Sequence, residues 1–300
     1  MKIKGAALVW ICALALVPTA FAGESQFGFV NTTDLLPKDE QEIEQWITYK
    51  TQKKQGTFNM VEGRTAYEFG VTDNFQLSFY AKYAWTEAYH NGLDGETSPP
   101  EQFAADSPDP DERYNRTQFI GFSVEGIYRI LSPYTDRIGL AIYMEPTWGP
   151  DFFEMDTKLI LQKNFLDDTV TVAFNLTHAP EFRYLRQDDG SKVWQQETDL
   201  NLYLGASYRF AANWSLGAEL LNEQEYNDYL DFNHIANNGY FFGPSLHFSS
   251  KTFFVTAVLL AQMPWAGSYA DTIPGALKDG YLYDQDFERY RARVKMGWVF

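Results

Sequence analysis

The chain has almost no cysteine or histidine, the side chains on which much catalytic and redox chemistry depends. Its only cysteine, Cys12, lies in an N-terminal apolar stretch, and four histidines are spread over 300 residues. A single cysteine cannot form an internal disulfide, and removal of the N-terminal stretch would also remove the only thiol. The composition therefore excludes a disulfide-based scaffold and argues against thiol catalysis.

Basic residues are also scarce. The chain has 24 lysines and arginines against 40 aspartates and glutamates, which gives a formal net charge of −16 at pH 7. So acidic a chain repels polyanions, and we therefore expect no nucleic acid among its partners. We interpret the acidic excess mainly as a solvated surface.

Long hydrophobic runs are missing after residue 22, so the sequence predicts no membrane-spanning helix. The apolar run at the N-terminus, Ala6 to Val17, follows two lysines and is too short to span a bilayer. It precedes Ala20-Phe21-Ala22, which fits the small-x-small pattern of a cleavage site. We predict a signal peptide over residues 1–22, exported through the inner membrane of a Gram-negative bacterium. Its removal would lower the net charge to −18, because it takes two lysines and no acids.

Aromatic residues, by contrast, are abundant and tend to lie at alternating positions. They make up 17% of the chain, and a hydrophobic period of two is typical of β-strands. The clearest example is the last segment, 287–300, which has one apolar face and one cationic face. Its apolar face contains Tyr290, Val294, Met296, Trp298 and Phe300, and its cationic face contains Arg289, Arg291, Arg293 and Lys295. A shift of one residue would put four cations into lipid, so the pattern predicts which face lies outside.

Twelve segments alternate in this way, and short and long connections alternate between them. The segments are 41–53, 57–70, 75–87, 114–130, 137–148, 153–165, 169–182, 196–210, 214–224, 238–248, 252–263 and 287–300. Five connections are short turns, whereas 88–113, 183–195, 225–237 and 264–286 are long. We predict an all-β fold over residues 41–300: a transmembrane antiparallel up-and-down β-barrel of about twelve strands, with short periplasmic turns and longer extracellular loops. A soluble periplasmic β-sandwich is the alternative, but its strands would each need a polar face.

Two segments resemble known outer-membrane proteins. The terminal strand Tyr290–Phe300 is similar to the signal that the barrel assembly machinery reads in most barrels of this class. The hairpin from Thr65 to Tyr80, with Glu-Phe-Gly before a Thr-Asp turn, resembles one in uncharacterised transporter barrels of the MetA-pathway-of-phenol-degradation type. The resemblance implies an outer-membrane barrel with lipids and lipopolysaccharide as neighbours, the assembly machinery as a partner during insertion, and a transport role. It covers about 16 residues and indicates the class of protein rather than the solute.

The inward faces of the strands carry many charged residues. Besides the cationic face of the last strand, the lumen-lining candidates are Glu62, Arg64, Glu68, Glu125, Glu145, Glu154, Asp156, Lys158, Asp199, Arg209 and Glu219. Either cationic and anionic walls orient a small solute across a wet pore, or the charges pair and fill the lumen. A twelve-stranded barrel is intermediate between filled eight-stranded barrels and open porins. We favour a narrow channel or transporter for small solutes, and the alternative is a closed structural or surface-interaction barrel.

An enzymatic role has little support in the sequence. A nucleophile needs a base within hydrogen-bond reach, and the best pair, Ser245 and His247, would be a weak candidate for a lipid-modifying hydrolase. We therefore assign no catalytic residue, cofactor or metal. The role of residues 23–40 stays open between a disordered periplasmic tail and a plug in the lumen; the plug is made possible by Phe27, Phe29, Leu35 and Leu36.

Overall fold

The computed structural model describes residues 25–100, 109–186, 191–230, 232–233, 235–266, 277–278 and 281–300. The signal peptide predicted over residues 1–22 lies outside the described residues. No helix in the described part of the chain is long and apolar enough to cross a membrane.

Twelve strands of the described chain form a closed antiparallel barrel, and two short strands form a separate hairpin. The strands are β1 Gln41–Thr51, β2 Thr57–Thr72, β3 Phe75–Tyr89, β4 Tyr114–Leu131, β5 Gly139–Gly149, β6 Phe152–Phe165, β7 Val170–Arg186, β8 Lys192–Ala211, β9 Trp214–Tyr226, β10 Ile235–Ser249, β11 Phe253–Met263, β12 Leu277–Lys278, β13 Tyr281–Leu282 and β14 Tyr290–Val299. Each barrel strand pairs with its neighbours in chain order, and β14 pairs with both β11 and β1. The hairpin consists of β12 and β13.

Burial alternates along the barrel strands in the opposite sense to that of a soluble protein. In β1, the apolar Ile43 and Ile47 are 45% and 43% exposed, whereas Glu42 and Glu44 are buried. Side chains of a strand point to opposite faces in turn. The outer face of the barrel is therefore apolar and the inner face largely polar, which is the arrangement that a lipid environment requires.

The barrel closes where the first and last strands pair. Ile43 lies opposite Trp298 and Thr48 opposite Arg293, in an unbroken antiparallel register. Closure gives every strand of the barrel a hydrogen-bonded neighbour on both sides. Both of these strands reach the end of the barrel that carries the five short turns, which we call the turn end; the opposite end is the loop end.

The predicted fold class is confirmed: the chain forms a twelve-stranded antiparallel barrel. Two connections predicted as loops contain additional strand structure. The segment 183–195 continues the β7–β8 ladder as far as the pair Arg186 and Lys192, and 264–286 contains β12 and β13. Polar residues such as Gln195 and Gln196 follow one another in the β7–β8 extension. The period-two hydrophobicity therefore fades there, although the hydrogen-bonded ladder goes on.

Candidate functional site in the barrel lumen

Residues 25–36, which we call the lumen segment, lie inside the barrel. Phe27, Leu35 and Leu36 are each almost completely buried. The chain leaves the lumen at the turn end, where the backbone N–H of Asp39 donates to the Gly70 carbonyl oxygen at 2.9 Å. Residues 37–40 join the lumen segment to β1, so its C-terminal end lies at the turn end.

Apolar side chains at both ends of the lumen segment pack against inward-facing apolar residues. Phe27 and Val30 pack with residues of β10 and β11, including Phe241 and Val258. Leu35 packs in a second cluster formed by Ile127, Ala141, Tyr143 and Ile160. Full burial of an aliphatic or aromatic side chain stabilises by about 1.5–3 kcal/mol. These contacts therefore fix the lumen segment at two places.

Glu219 of β9 anchors the middle of the lumen segment. Its side chain is 0% exposed, and its carboxylate accepts hydrogen bonds from the backbone N–H groups of Gly28, Phe29 and Val30 at 2.8, 2.8 and 3.2 Å. Hydrogen bonds to a charged group contribute about 1.5–3 kcal/mol each. One carboxylate thus satisfies three consecutive donors that would otherwise be buried without partners.

Three amide side chains of the wall provide further partners for the backbone of the lumen segment. Asn175 accepts from Asn31 N–H at 2.7 Å and donates to its carbonyl oxygen at 2.9 Å. Gln162 accepts from the N–H of Thr33 at 2.7 Å. In the same way, Gln76 accepts from the N–H of Leu36 at 2.8 Å. The lumen segment is therefore bonded to strands on several sides of the barrel.

Asp34 is the acidic side chain of the lumen segment. The Tyr134 hydroxyl donates to its carboxylate at 2.8 Å, and Gln162 donates at 3.3 Å. Burial raises the pKa of the Asp34 carboxyl, and these hydrogen bonds oppose that shift.

The main cavity of the lumen has a volume of about 300 Å³ and rests on residues 27–31 of the lumen segment. Two arcs of its wall differ in charge. The cationic wall, on β14 and β1–β3, is Lys50, Arg64, Lys82, Arg291, Arg293 and Lys295. The acidic wall, on β6–β9, is Glu154, Asp156, Glu181, Asp199, Glu223 and Glu225; Lys158 and Arg183 also lie in this arc, and Glu62 lies in the cationic one.

Many of these charges are compensated by ion pairs. On the cationic side, Lys50 pairs with Glu62 at 3.0 Å, and Lys295 pairs with Glu44 at 3.2 Å. Lys82 pairs with the fully buried Glu145 at 2.5 Å.

Arg291 extends this pairing across the lumen, because it binds Glu223 of the acidic wall at 2.7 Å. It also binds Glu288, which precedes β14, at 2.5 Å. Arg183 of β7 binds both Glu181 and Glu197. The paired charges connect neighbouring strands, and Arg291 with Glu223 also connects β14 with β9, which are not hydrogen-bonded to each other.

A second, smaller cavity of about 40 Å³ is lined by Asn31, Thr32 and Asp34 of the lumen segment and by acidic residues of the wall. The wall residues are Glu42, Glu44, Glu68 and Glu125, with Lys295 as the cation. The Tyr80 hydroxyl lies between two of them, 3.0 Å from Glu68 and 3.1 Å from Glu125. The lumen segment thus borders both cavities.

The lumen-lining candidates fall into four groups in the structure. Glu62, Arg64, Glu154, Asp156, Lys158, Asp199, Arg291, Arg293 and Lys295 line the main cavity. Glu68 and Glu125 line the small one, while Glu145 and Glu219 bind other groups in the lumen. Arg209 near the turn end and Arg289 beside Gln262 and Gln285 line neither cavity.

The residues predicted to form the membrane-insertion signal lie on the outer face of β14 and at its end. Tyr290, Trp298 and Phe300 are exposed, and Val294 and Met296 are partly exposed. The backbone N–H of Phe300 donates to the Gln41 carbonyl oxygen at 2.9 Å, so the terminal residue continues the β1–β14 ladder.

Ser245 and His247 do not form a nucleophile–base pair. Both are buried on the inner face of β10, but Ser245 Oγ forms no hydrogen bond with any described residue. His247 Nδ1 instead lies 2.8 Å from Thr256 Oγ1.

The apolar contacts of the lumen segment were not predicted from the sequence. Phe254, Val258 and Leu260 of β11 face inward although the outward face of that strand is also apolar. A strand that is apolar on both faces is typical of burial on both sides. This pattern in 253–263, together with the apolar residues of 23–40, is the signal from which these contacts could have been inferred.

The profile of a family of unknown function (DUF6662) matches residues 19–300. Among solved structures, an outer membrane channel from Pseudomonas putida F1 is similar with a TM-score of 0.57 and 10% identity, over 89% of this chain and 98% of the channel. The translocator domain of the autotransporter NalP from Neisseria meningitidis is similar with a TM-score of 0.50 and 10% identity, over 87% and 88%. No curated protein matches the sequence.

At this level of identity, the likeness extends to the fold. The chain has the fold of outer-membrane β-barrels and resembles a channel and a translocator domain, neither of which is described as an enzyme.

Proposed function

We propose that this chain, which belongs to the family of unknown function DUF6662, is a narrow outer-membrane channel or transporter that passes small polar solutes through a charged lumen. The observation that supports this most directly is the main cavity of about 300 Å³ between a cationic and an acidic wall. A barrel interior that is only structural does not need such a space. Charged walls that face each other across water orient a solute and lower the free energy of its entry.

The proposed location follows from features at the two ends of the chain. The signal peptide over residues 1–22 would export the chain, and the aromatic face of β14 would present Trp298 and Phe300 to the assembly machinery. Lipids would then contact the apolar outer face, and lipopolysaccharide would surround the loop end. The kinship with barrels of the MetA-pathway type stays a prediction.

The lumen segment is the constriction in this proposal. It separates the main cavity from the small one and is held by the Glu219 carboxylate and by the two apolar clusters. Passage of a solute therefore requires the lumen segment to shift within the barrel. Since three of its N–H groups depend on one carboxylate, Glu219 is the residue at which this shift is most easily altered.

A closed structural barrel is the second candidate. The ion pairs of Lys82, Arg183 and Arg291 and the buried lumen segment favour it, because they stabilise the barrel without a solute. A narrow channel would conduct ions in a planar bilayer, whereas a closed structural barrel would not.

The test is single-channel recording of the mature chain in planar bilayers. We expect discrete conductance steps, and we expect Glu219→Gln to raise the conductance or the open probability several-fold because an amide cannot accept all three N–H groups. Glu87→Gln is the matched control, because Glu87 pairs with Arg113 near the loop end and does not touch the lumen segment. A correctly folded barrel without discrete steps, in both wild type and Glu219→Gln, would establish the closed structural barrel.

A further inference from the structure

We propose that the main cavity binds a small zwitterionic solute, with a carboxylate held by Arg64 and Arg293 and an ammonium group facing Glu154, Asp156 and Asp199. This inference rests on the proposed function and names the class of solute that the same cavity takes. Of the charged groups of this site, Arg64 shares the Glu145 carboxylate with Lys82, and the others form no ion pair with any described residue.

Arg293 is a cation of the main cavity whose hydrogen-bond acceptors are neutral groups. Its Nε donates to Thr48 Oγ1 at 2.8 Å, and its Nη1 donates to the Gly28 carbonyl oxygen at 2.9 Å. Both acceptors are uncharged, and Arg293 forms no ion pair with any described residue. Its guanidinium lies 3.7 Å from the centroid of the Phe29 ring, on the floor of the cavity.

Arg64 provides a second guanidinium on the same wall. Its nearest carboxylate is that of Glu145 at 3.6 Å, and that carboxylate already binds Lys82 at 2.5 Å. The Trp46 ring lies beside both arginines, with its centroid 5.4 Å from Arg64 Cζ and 5.1 Å from Arg293 Cζ. Arginine binds carboxylates through parallel N–H donors. Two guanidinium groups thus lie beside Trp46, on the two strands that flank β1, and each is a donor suited to the carboxylate of a solute.

The unpaired carboxylates of the cavity lie on the opposite side of the barrel. Glu154 and Asp156 of β6 and Asp199 of β8 line the cavity and form no ion pair with any described residue. These strands flank β7, just as β2 and β14, which carry the two arginines, flank β1. Five strands separate β1 from β7 in either direction around the barrel, so the two sets of charges face each other across the lumen.

Nearby cations reduce this acidic excess only in part. Arg183 of β7 is bound by Glu181 and Glu197. Lys158 of β6 places its ammonium group 4.0 Å from the centroid of the Tyr143 ring. Even if Lys158 compensates one of the three carboxylates of Glu154, Asp156 and Asp199, the other two have no cation paired with them among the described residues.

A zwitterion matches this distribution better than an ion of either sign. In a space of low dielectric constant an uncompensated charge is unfavourable. A simple anion would compensate the positive charges of the arginines but not the negative charges of the carboxylates. A simple cation would compensate the carboxylates but not the arginines. A volume of about 300 Å³ is at the lower end of ligand cavities, which restricts the solute to roughly the size of an amino acid.

Three probes of almost equal size separate these cases: 4-aminobutyrate, butyrate and butylammonium. We expect calorimetry on the detergent-solubilised barrel to detect binding of 4-aminobutyrate at least about tenfold tighter than of the other two. Arg293→Gln and Arg64→Gln should each weaken binding of 4-aminobutyrate by about tenfold, because a charge-assisted hydrogen bond is lost. Arg113→Gln, a loop-end arginine paired with Glu87, is the control and should leave the binding unchanged.

Equal binding of butyrate and 4-aminobutyrate, or unchanged binding by Arg293→Gln, would overturn the zwitterion site. Calorimetry does not require conductance, so its result is independent of the channel recordings. A barrel that binds 4-aminobutyrate but does not conduct would overturn the channel and support the site. A barrel that conducts but binds none of the three probes would support the channel and overturn the site.

Discussion

At the scale of single residues, the lumen depends on buried charges that have close partners. Glu145 is completely buried and binds Lys82 at 2.5 Å and Ser123 at 2.7 Å, with a further hydrogen bond from Tyr143. A buried ion pair adds little stability compared with an apolar pair, but the loss of one partner leaves an uncompensated charge. Lys82 therefore contributes much more to the stability of the barrel when Glu145 is present than when it is replaced by a neutral residue.

We expect Lys82→Met to lower the free energy of unfolding by about 3–5 kcal/mol, because it leaves the Glu145 carboxylate without its closest cation. Urea unfolding in lipid vesicles, followed by tryptophan fluorescence, measures this change. The double variant Lys82→Met, Glu145→Gln should recover most of the loss. Equal stability of the single and double variants would mean that Lys82 acts through packing rather than charge.

The sequence predicts well which side chains face the lumen. It predicts less well which of these side chains form ion pairs with each other. Alternation places Lys295, Arg291 and Glu44 on inner faces, because the period of a strand is two. Their partners depend on strand register and on the width of the lumen. Lys295 meets Glu44 on the adjacent strand, but Arg291 reaches Glu223 across the lumen. A contact between strands that are not paired, such as that of Arg291 with Glu223, produces no local sequence pattern that could predict it.

At the scale of elements, the lumen segment is the part of the chain that separates the two cavities of the lumen. Its order depends on contacts from residues far away in the sequence, such as Glu219 and Val258. The sequence left residues 23–40 as either a tail or a plug for this reason. A short segment with no strand pairing of its own is positioned by its surroundings, and only the folded barrel provides them.

A disulfide between positions 28 and 258 should fix the lumen segment to β11. A Cβ atom at Gly28 would lie 3.2 Å from Val258 Cβ and 2.4 Å from its Cγ2, so Gly28→Cys with Val258→Cys removes the clashing methyl. The Cβ–Cβ spacing then has to widen by a few tenths of an ångström to reach the roughly 3.5–4.5 Å of a disulfide. If passage requires the lumen segment to shift, oxidation should abolish solute-permeable openings, and reduction should restore them. Solute flux into vesicles measures this.

The single variant Val258→Cys is the control for the oxidant, since Cys12 lies in the predicted signal peptide and the rest of the chain has no cysteine. Undiminished flux through the oxidised double variant would contradict a moving lumen segment. The solute would then have to pass beside it.

At the scale of the whole molecule, the outer face and the closure of the barrel could be predicted from the sequence. The twelve strands and the five short turns follow from alternation and turn residues, because lipid outside and water inside impose the same pattern on every strand. The extension of β7 and β8 and the contents of the lumen did not follow. In those parts of the molecule, the strict division between apolar and polar faces is absent.

We expect Phe300→Ala to reduce the amount of assembled barrel in the outer membrane several-fold, because the terminal aromatic residue is part of the predicted insertion signal. Phe165→Ala is a matched control: Phe165 ends β6 at the same end of the barrel and is 48% exposed, against 65% for Phe300. The measurement is the fraction of heat-modifiable protein in outer-membrane preparations. Equal losses for both variants would show that the aromatic belt matters, and that the terminal position has no special role.

The pairing of β14 with β1 also sets an order of events in time. The lumen segment precedes the twelve barrel strands in the chain, whereas Arg293, which binds its Gly28 carbonyl oxygen, lies on the last of them. This contact can therefore form only after β14 has been synthesised and has paired with the barrel. Folding of this barrel is complete only when its beginning and its end have met, and a chain truncated before β14 would lack part of its cationic wall as well as its seam.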